Sequence, residues 1–147
     1  MPAGTTPIFP AAPYAVSASL AAVSACATRA PTVTASLAAA NISLLVPTSV
    51  NGCRVDVVRV KACSNSITAA TAAQLVQLWL WDGTTAYLYD EISVTAVTPS
   101  ASVASFLAER GYANLILPAT FALYISTTVA TTASTTALEV QAVGGLY

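Results

Sequence analysis

Alternation of apolar and polar residues with a period of two runs through most of this chain and favours β-strands over helices. The clearest case is the stretch 74–99, where an apolar run, the dipeptide Asp82-Gly83 and a second run rich in Tyr, Ile, Val and Thr follow one another. Asp-Gly between two such runs is a strong signal for a β-hairpin, because both turn positions tolerate positive φ. The stretch is therefore predicted to form the hairpin around which the rest of the chain is organised.

Four large aromatic side chains belong to this hairpin: Trp79 and Trp81 before the turn, and Tyr87 and Tyr89 after it. Each pair occupies alternate positions of its strand, so one face of the hairpin could present all four. Such a face can serve as core, or as a platform that stacks on carbohydrate or nucleobases. The core is the simpler interpretation, because burying roughly several hundred Å² of aromatic surface is what a domain of this size needs.

Residues 14–46 mix alanine with small polar residues, so both helix and strand are conceivable for them. Dense Ser and Thr disfavour a helix interior, and we predict strand. Pro31 interrupts the first strand, and a second strand is predicted over 32–34. A short strand is also predicted over 42–46. For the residues between them, 35–40, a short helical turn is an alternative. The alternation that favours the first strand runs through Tyr14, Val16, Ala18, Leu20 and Ala22.

The segment 53–62 is a predicted strand whose polar side chains change parity in the middle. The first two polar residues share one parity and the last two share the other: Arg54 and Asp56, then Arg59 and Lys61. The step Val57-Val58 is therefore predicted to hold a β-bulge or a crossing between sheets. For Arg59 and Lys61, a solvated outer face is favoured over contact with an acidic partner.

Shorter strands are predicted in the second half of the chain, separated by turn signals. They fall at 92–97, 103–109, 114–117, 121–128 and 136–143, with an interruption at Asp90-Glu91, a turn at Arg110-Gly111, and loops at 64–73 and 127–135. About eight or nine short strands with this turn spacing are typical of a two-sheet sandwich or barrel. We predict an all-β, two-sheet sandwich of jelly-roll type, because long early strands and late hairpins suit two Greek keys.

The domain organisation follows from the proline pattern at the start of the chain. Residues 1–13 have proline at about every third position and are predicted to form an extended N-terminal arm. Two alternatives stay open for this arm, which is either disordered alone or draped over a neighbour. The apolar residues Ile8 and Phe9 lead to the hypothesis that it docks on another subunit. Residues 14–147 are predicted to form a single β-sandwich domain, which is large enough to fold without a metal or a disulfide.

The low charge content of the chain argues against nucleic acid as a partner and favours other protein subunits. Charged residues make up 7% of the chain, hydrophobic residues make up 56%, and the net charge is −1. Such a chain has no electrostatic footprint for nucleic acid, and its weakly charged surface indicates burial in an assembly. No membrane partner is expected, because Pro, Ser and Thr break the uncharged tracts and the first basic residue is Arg29.

The sequence contains few of the residue types that commonly act in catalysis. Histidine is absent, which removes the commonest general base and the usual zinc ligand. A glycosidase needs two carboxylates about 5–9.5 Å apart in one cleft, and the adjacent Asp90 and Glu91 point to opposite faces of a strand. The six carboxylates of the chain are Asp56, Asp82, Asp90, Glu91, Glu109 and Glu139. We predict that the protein is not an enzyme, with no catalytic, cofactor-binding or metal-binding residue and no cofactor.

The three cysteines, Cys26, Cys53 and Cys63, show no metal-ligand spacing and leave one unpaired after any disulfide. Free, buried thiols that act as small apolar side chains are favoured over a single disulfide among them.

Several turn and strand motifs recur in one order from Asn51 to the end of the chain. They are Asn51-Gly52 before the strand 54–62, Leu78-Trp79-Leu80-Trp81-Asp82-Gly83-Thr84, the run 91–100, Leu115-Ile116-Leu117-Pro118-Ala119, and Gly144-Gly145. In these features the chain resembles small β-rich structural proteins of tailed-bacteriophage virions, and among them it is similar to capsid decoration (cement) proteins. The resemblance covers about two-thirds of the chain; the Ala-rich first third departs from it.

The resemblance implies a body of jelly-roll or related sandwich type with an extended arm, and no catalytic residues. It implies a protein made in the host cytoplasm that binds the major capsid protein on the outer surface of the assembled head, as a homo-oligomer, most often a trimer. Two other roles stay open. One is a tail-fibre or spike head that binds a host glycan through the Trp/Tyr hairpin, and the other is a neck or tail-completion protein.

Overall fold

A computed structural model describes residues 12–26, 28–30, 32–34, 41–64, 66–132 and 137–147, with the backbone alone for 32–34. The secondary structure within these ranges consists of β-strands, and no helix occurs among them. The strands are β1 Ala12–Leu20, β2 Thr32–Thr34, β3 Ile42–Val46, β4 Cys53–Ala62, β5 Gln74–Trp81, β6 Thr85–Val94, β7 Leu107–Leu117, β8 Ala122–Thr127 and β9 Leu138–Leu146. The all-β prediction is confirmed.

The strands form two antiparallel sheets, one in the order β1-β9-β4-β7 and one in the order β2-β6-β5-β8-β3. With the short β2 set aside, the first strand pairs with the last, β3 pairs with β8, β4 with β7, and β5 with β6. This nested pairing of eight strands is the jelly-roll topology. The predicted two-sheet sandwich of jelly-roll type is therefore confirmed, with β2 as an extra edge strand beside β6.

The inner faces of the two sheets enclose one main hydrophobic core. Alternate residues of β4 and β9 point into it from the four-stranded sheet, and alternate residues of β5 and β8 point into it from the five-stranded sheet. The fully buried members include Val58, Val60, Val140, Leu78 and Ile125. The core fixes which face of each sheet points outward, and the outward faces carry the candidate sites.

The predicted hairpin is formed by β5 and β6, and its turn lies one residue later than the Asp-Gly signal. The Asp82 N–H donates to the Thr85 carbonyl at 3.2 Å, so Gly83 and Thr84 occupy the two central positions. Gly83 has a φ of 101°, and the Asp82 carboxylate accepts the N–H groups of Thr84 and Thr85 at 2.8 and 2.7 Å. Asp82 therefore closes the turn with its side chain and leaves the positive φ to glycine.

A β-bulge interrupts β4, as the change of parity predicts, although it lies at Asp56 and not at the step Val57-Val58. The register with β9 shifts between Val55 and Val57. The strand β7 places residues 112–114 opposite this bulge, because Leu115 faces Val55 and Gly111 faces Val57. The bulge turns the side chains after it to the opposite parity, which gives Arg59 and Lys61 the outward face.

The strand interruptions predicted at Arg110-Gly111 and at Asp90-Glu91 are both wrong, because pairing with a neighbouring strand continues through them. Arg110-Gly111 is not a turn, since β7 continues through it in register with β4. Asp90-Glu91 does not interrupt pairing either, because β6 continues and takes up Tyr89 as an extra residue between the partners of Leu78 and Trp79. Pairing along a whole neighbouring strand outweighs the local preference of glycine or a carboxylate pair. The predicted strand starting at 103 begins later, at Leu107.

The domain boundary also differs from the prediction. Ala12 and Pro13 belong to β1, where they face Leu146 and Gly145, so the sandwich begins two residues earlier than expected. Proline is tolerated there because β1 is an edge strand. The rest of the predicted arm, residues 1–11, lies outside the described residues, and so does the helical turn considered for 35–40.

Candidate functional site

The outer face of the five-stranded sheet is covered by a segment of the chain itself. This strap, residues 21–26 and 28–30, runs from the C-terminal end of β8 across β5 to β6. The Cys26 N–H donates to the Thr127 carbonyl at 2.7 Å, and the Thr131 N–H donates to the Val23 carbonyl at 3.0 Å. At the other end, Arg29 forms an ion pair with Glu91 of β6 at 2.9 Å. We call the sheet surface under the strap the covered face.

Trp79 lies on the covered face and is completely buried in a small cluster with Cys26 and Ala86, separate from the main core. Its indole N–H donates to the Ser126 hydroxyl at 2.8 Å, and that hydroxyl donates to the Gln77 carbonyl oxygen Oε1 at 2.9 Å. The Gln77 amide in turn donates to the Thr28 carbonyl of the strap at 3.0 Å. This chain of hydrogen bonds satisfies the buried polar groups and attaches the strap to the sheet.

The four aromatic side chains do not share one face, contrary to the prediction. Trp79 and Trp81 point to the covered face, where Trp81 packs edge-on against Tyr124 with ring centroids 6.3 Å apart. The two-residue turn at Gly83-Thr84 places Tyr87 opposite Leu80, on the other parity. The core interpretation holds for Trp79, which is buried. A platform that uses both tryptophans is incompatible with this burial.

The two tyrosines of β6 are partly exposed and already engaged. The Tyr87 hydroxyl donates to Asp82 at 3.0 Å across the hairpin turn. The Tyr89 ring lies against that of Tyr112 of β7, with centroids 5.7 Å apart. These contacts fix both rings and leave part of each in solvent.

The carboxylate of Asp90 ties the two sheets together along the side where β6 and β7 approach. It accepts two hydrogen bonds from Arg110, at 2.9 and 3.2 Å, and one from the Tyr112 hydroxyl at 2.8 Å. The hydrogen bonds from Arg110 are the main cause of the lowered pKa of Asp90, and burial opposes them. Burial, followed by the hydrogen bond to Asp90, raises the pKa of Tyr112. The arrangement is an ion-pair clamp, not an acid–base pair.

The other five carboxylates are described by the groups that they contact or face. Asp56 pairs with Arg54, Glu109 pairs with Arg59, and Glu91 accepts from both Arg29 and Gln77. The N–H groups of Thr85 and Thr84, in that order, lower the pKa of Asp82. Glu139 faces Lys61 on the neighbouring strand. Among the described residues, no group of three or more Cys, Asp or Glu side chains could hold a metal ion.

The three cysteines are free, and two of them, Cys26 and Cys53, are buried as predicted. Cys63 is exposed, contrary to the prediction, and lines a cleft of about 400 Å³ at one end of the sandwich together with Lys61 and Thr71. Lys61 is the one charged residue among the described lining residues.

The part of the chain that the structure describes has no helix able to cross a membrane.

Within the described ranges, no segment of the chain packs on the outer face of the four-stranded sheet, and we call it the bare face. Its side chains form four rows across β1, β9, β4 and β7. In this strand order the rows are Pro13, Gly145, Arg54, Ile116; Ala15, Val143, Val57, Gly111; Ser17, Gln141, Arg59, Glu109; and Ser19, Glu139, Lys61, Leu107. Val143 is 49% exposed, Leu107 is 51% exposed and Ile116 is 55% exposed. The second row is apolar throughout, which is unusual for a solvent-facing sheet surface.

Sequence reasoning found the strands of both surfaces and missed the strap. The strap sequence has no period of two or 3.6, so no local signal marks it. The one available hint is Gln77, a polar residue within the apolar strand β5 that is completely buried and needs hydrogen-bond partners.

Comparison of the chain with protein-family models, with curated proteins and with solved structures gives no match.

Proposed function

We propose that this chain is a non-enzymatic structural protein of a bacteriophage virion, and more specifically a decoration (cement) protein that binds the assembled head and stabilises it. The resemblance of residues 51–147 supplies the class of particle, and the jelly-roll body is the type expected for that class. In this proposal the protein is made in the host cytoplasm and acts on the outer surface of the capsid. Its partners are the major capsid protein and further copies of itself, and the trimer stays a prediction.

The observation that carries the proposal is the distribution of charge over the folded chain. The chain has five basic and six acidic side chains, and four of each are joined in four ion pairs within the molecule. Among the side chains that the structure describes, the charged ones outside these pairs are Lys61, Asp82 and Glu139. A surface with so few free charges loses little hydration free energy when it is buried against a neutral partner. This favours a component of an assembly.

The stabilising effect follows from mass action. A protein that binds the assembled shell, and not the separate subunits, stabilises the shell in proportion to the logarithm of its concentration over its dissociation constant. No bond is made or broken, so no catalytic group is required. The dispersed Ser, Thr and Ala of the surface suit contacts that depend on shape and apolar area.

The test is the copy number of this protein per virion, measured by quantitative mass spectrometry of purified particles against the major capsid protein. The proposal expects a number comparable to the capsid subunit or a simple large fraction of it. A few to a few tens of copies would instead indicate a neck, tail or fibre position and would overturn the decoration role. For a glycan-binding fibre head, the exposed aromatic groups of the hairpin are Tyr87 and Tyr89, because Trp79 is buried.

A further inference from the structure

The bare face has a pattern of residues that is complementary to itself. From the geometry of its four rows we infer that two copies of this chain pack face to face through their four-stranded sheets. The contact has a two-fold axis that runs parallel to the strands, between β9 and β4. The inference concerns the free protein and does not depend on binding to a capsid.

The two-fold axis exchanges β9 with β4 and β1 with β7 and leaves each row opposite itself. In the apolar row, Val143 then faces the partner's Val57, and Ala15 faces the partner's Gly111. These four positions are small or β-branched, so the two sheets can approach to the usual spacing of about 10 Å. The half-exposed Val143 is buried in this contact.

The charged row supplies the complementarity that selects this axis. Glu139 and Lys61 are direct neighbours across β9 and β4, so the axis places Glu139 over the partner's Lys61 and Lys61 over the partner's Glu139. Within one chain no ion pair joins these two side chains among the described residues, whereas each arginine has a carboxylate partner. Lys61 and Glu139 are thus the charges on this face that remain available to a second copy.

The two remaining rows are compatible with the same axis. Gln141 faces the partner's Arg59, and Ser17 faces the partner's Glu109, which are polar pairs able to hydrogen-bond. Pro13 faces the partner's exposed Ile116 at the other end of the face. Two twisted sheets that pack face to face cross at about −30°, so the central rows meet most closely and the long side chains of the outer rows bridge the rest.

A charge exchange between two chains tests the inference. In Lys61→Glu both facing pairs become Glu against Glu, and in Glu139→Lys both become Lys against Lys. Each variant alone is expected to dimerise about 10- to 100-fold more weakly than the original protein, because like charges face each other twice. In an equimolar mixture the two variants complement each other and are expected to form a heterodimer within about threefold of the original affinity.

The readout is the mass in solution, by sedimentation velocity and light scattering from about 1 to about 500 µM. The original protein is expected to reach twice its chain mass of 14.9 kDa. A mass of three chains, which is the trimer that the resemblance implies, would overturn the inference. A mass of one chain throughout, or a mixture that stays monomeric, would also overturn it. Restoration in the mixture cannot arise from repulsion within one chain, since each variant keeps its own like-charged pair.

A second variant tests the apolar row. Val143→Glu is expected to abolish dimerisation, because it places a carboxylate against the partner's Val57 in the middle of the contact. Val129→Glu is the control, since Val129 is also exposed, at 38%, and lies in the loop after β8, which belongs to the other sheet. Circular dichroism confirms that both variants fold. Equal masses for the two variants would contradict the inference.

Discussion

The outer faces of the two sheets of this sandwich are of opposite character, because a segment of the chain packs on one of them and, among the described residues, none packs on the other. On the covered face the strap seals Trp79, Gln77 and Ser126 completely from solvent. On the bare face the comparable central position, Val143, stays half exposed. The chain therefore buries one apolar surface by folding and leaves the other for association. It follows that substitutions on the covered face change the free energy of unfolding, and substitutions on the bare face change self-association.

The largest expected effect on stability is that of Trp79→Ala. This change removes a completely buried side chain and leaves a cavity beneath the strap, which costs about 3–5 kcal/mol of unfolding free energy. Urea unfolding at about 1 µM protein, where association is minimal, measures it. Val143→Ala on the bare face is the control and is expected to change the unfolding free energy by less than about 0.5 kcal/mol. Similar losses for both variants would remove the distinction between the two faces.

Ser126→Ala, which tests the hydrogen bonds of the covered face, is expected to lower the free energy of unfolding by an intermediate amount. The change leaves the buried indole N–H of Trp79 without its acceptor and Gln77 Oε1 without its donor. Each unsatisfied buried group costs about 1–3 kcal/mol. Ser17→Ala is the matched control on the bare face, since Ser17 is exposed and is expected to be neutral within about 0.5 kcal/mol. A neutral Ser126→Ala would show that the strap is not attached through this network.

A smaller effect on the free energy of unfolding, dependent on pH, is expected for Asp90, which joins β6 to β7 through Arg110 and Tyr112. The lowered pKa of Asp90 means that its contribution to stability is complete above the unfolded pKa of about 3.9 and is lost as the pH falls through the lower folded value. Solvent screening limits the size of this effect, because Arg110 is half exposed. The difference in unfolding free energy between the original protein and Asp90→Asn is therefore expected to shrink below about pH 4. A difference that stays constant from neutral to acid pH would argue against the clamp.

Much of the fold could be predicted from the sequence because its signals are local and consistent. The Asp82-Gly83 signal with its flanking apolar runs predicts the hairpin to within one residue of the turn. The alternation from Tyr14 to Leu20 predicts β1 in spite of its alanines. The parity change in β4 predicts an irregularity in this strand at Val57-Val58, and the bulge occurs next to that step, at Asp56. Errors arise where tertiary pairing outweighs a local signal, as at Gly111, which lies within β7 opposite Val57.

The candidate surfaces could not be predicted in the same way. Alternation with a period of two separates the inward from the outward positions of each strand, but it does not show which outer face a distant segment will cover. The contact between Gln77 and Thr28 joins residues far apart in the chain, and nothing near either one signals it. Likewise the neighbouring positions of Lys61 and Glu139 depend on the register between β4 and β9, which appears only when the sheet is assembled.

The smallest expected effect is that of Gly111→Ala in the apolar row of the bare face. Gly111 lies in β7 with no positive φ, and no atom lies within 4 Å of the position a Cβ would take. Alanine is expected to raise the unfolding free energy by about 0.5–1 kcal/mol, since it restricts the unfolded chain without a clash in the folded one. Urea unfolding of the monomer at about 1 µM measures this gain. A loss of stability would mean that another part of the chain covers Gly111 in solution, and the bare face would then not be available to a second copy.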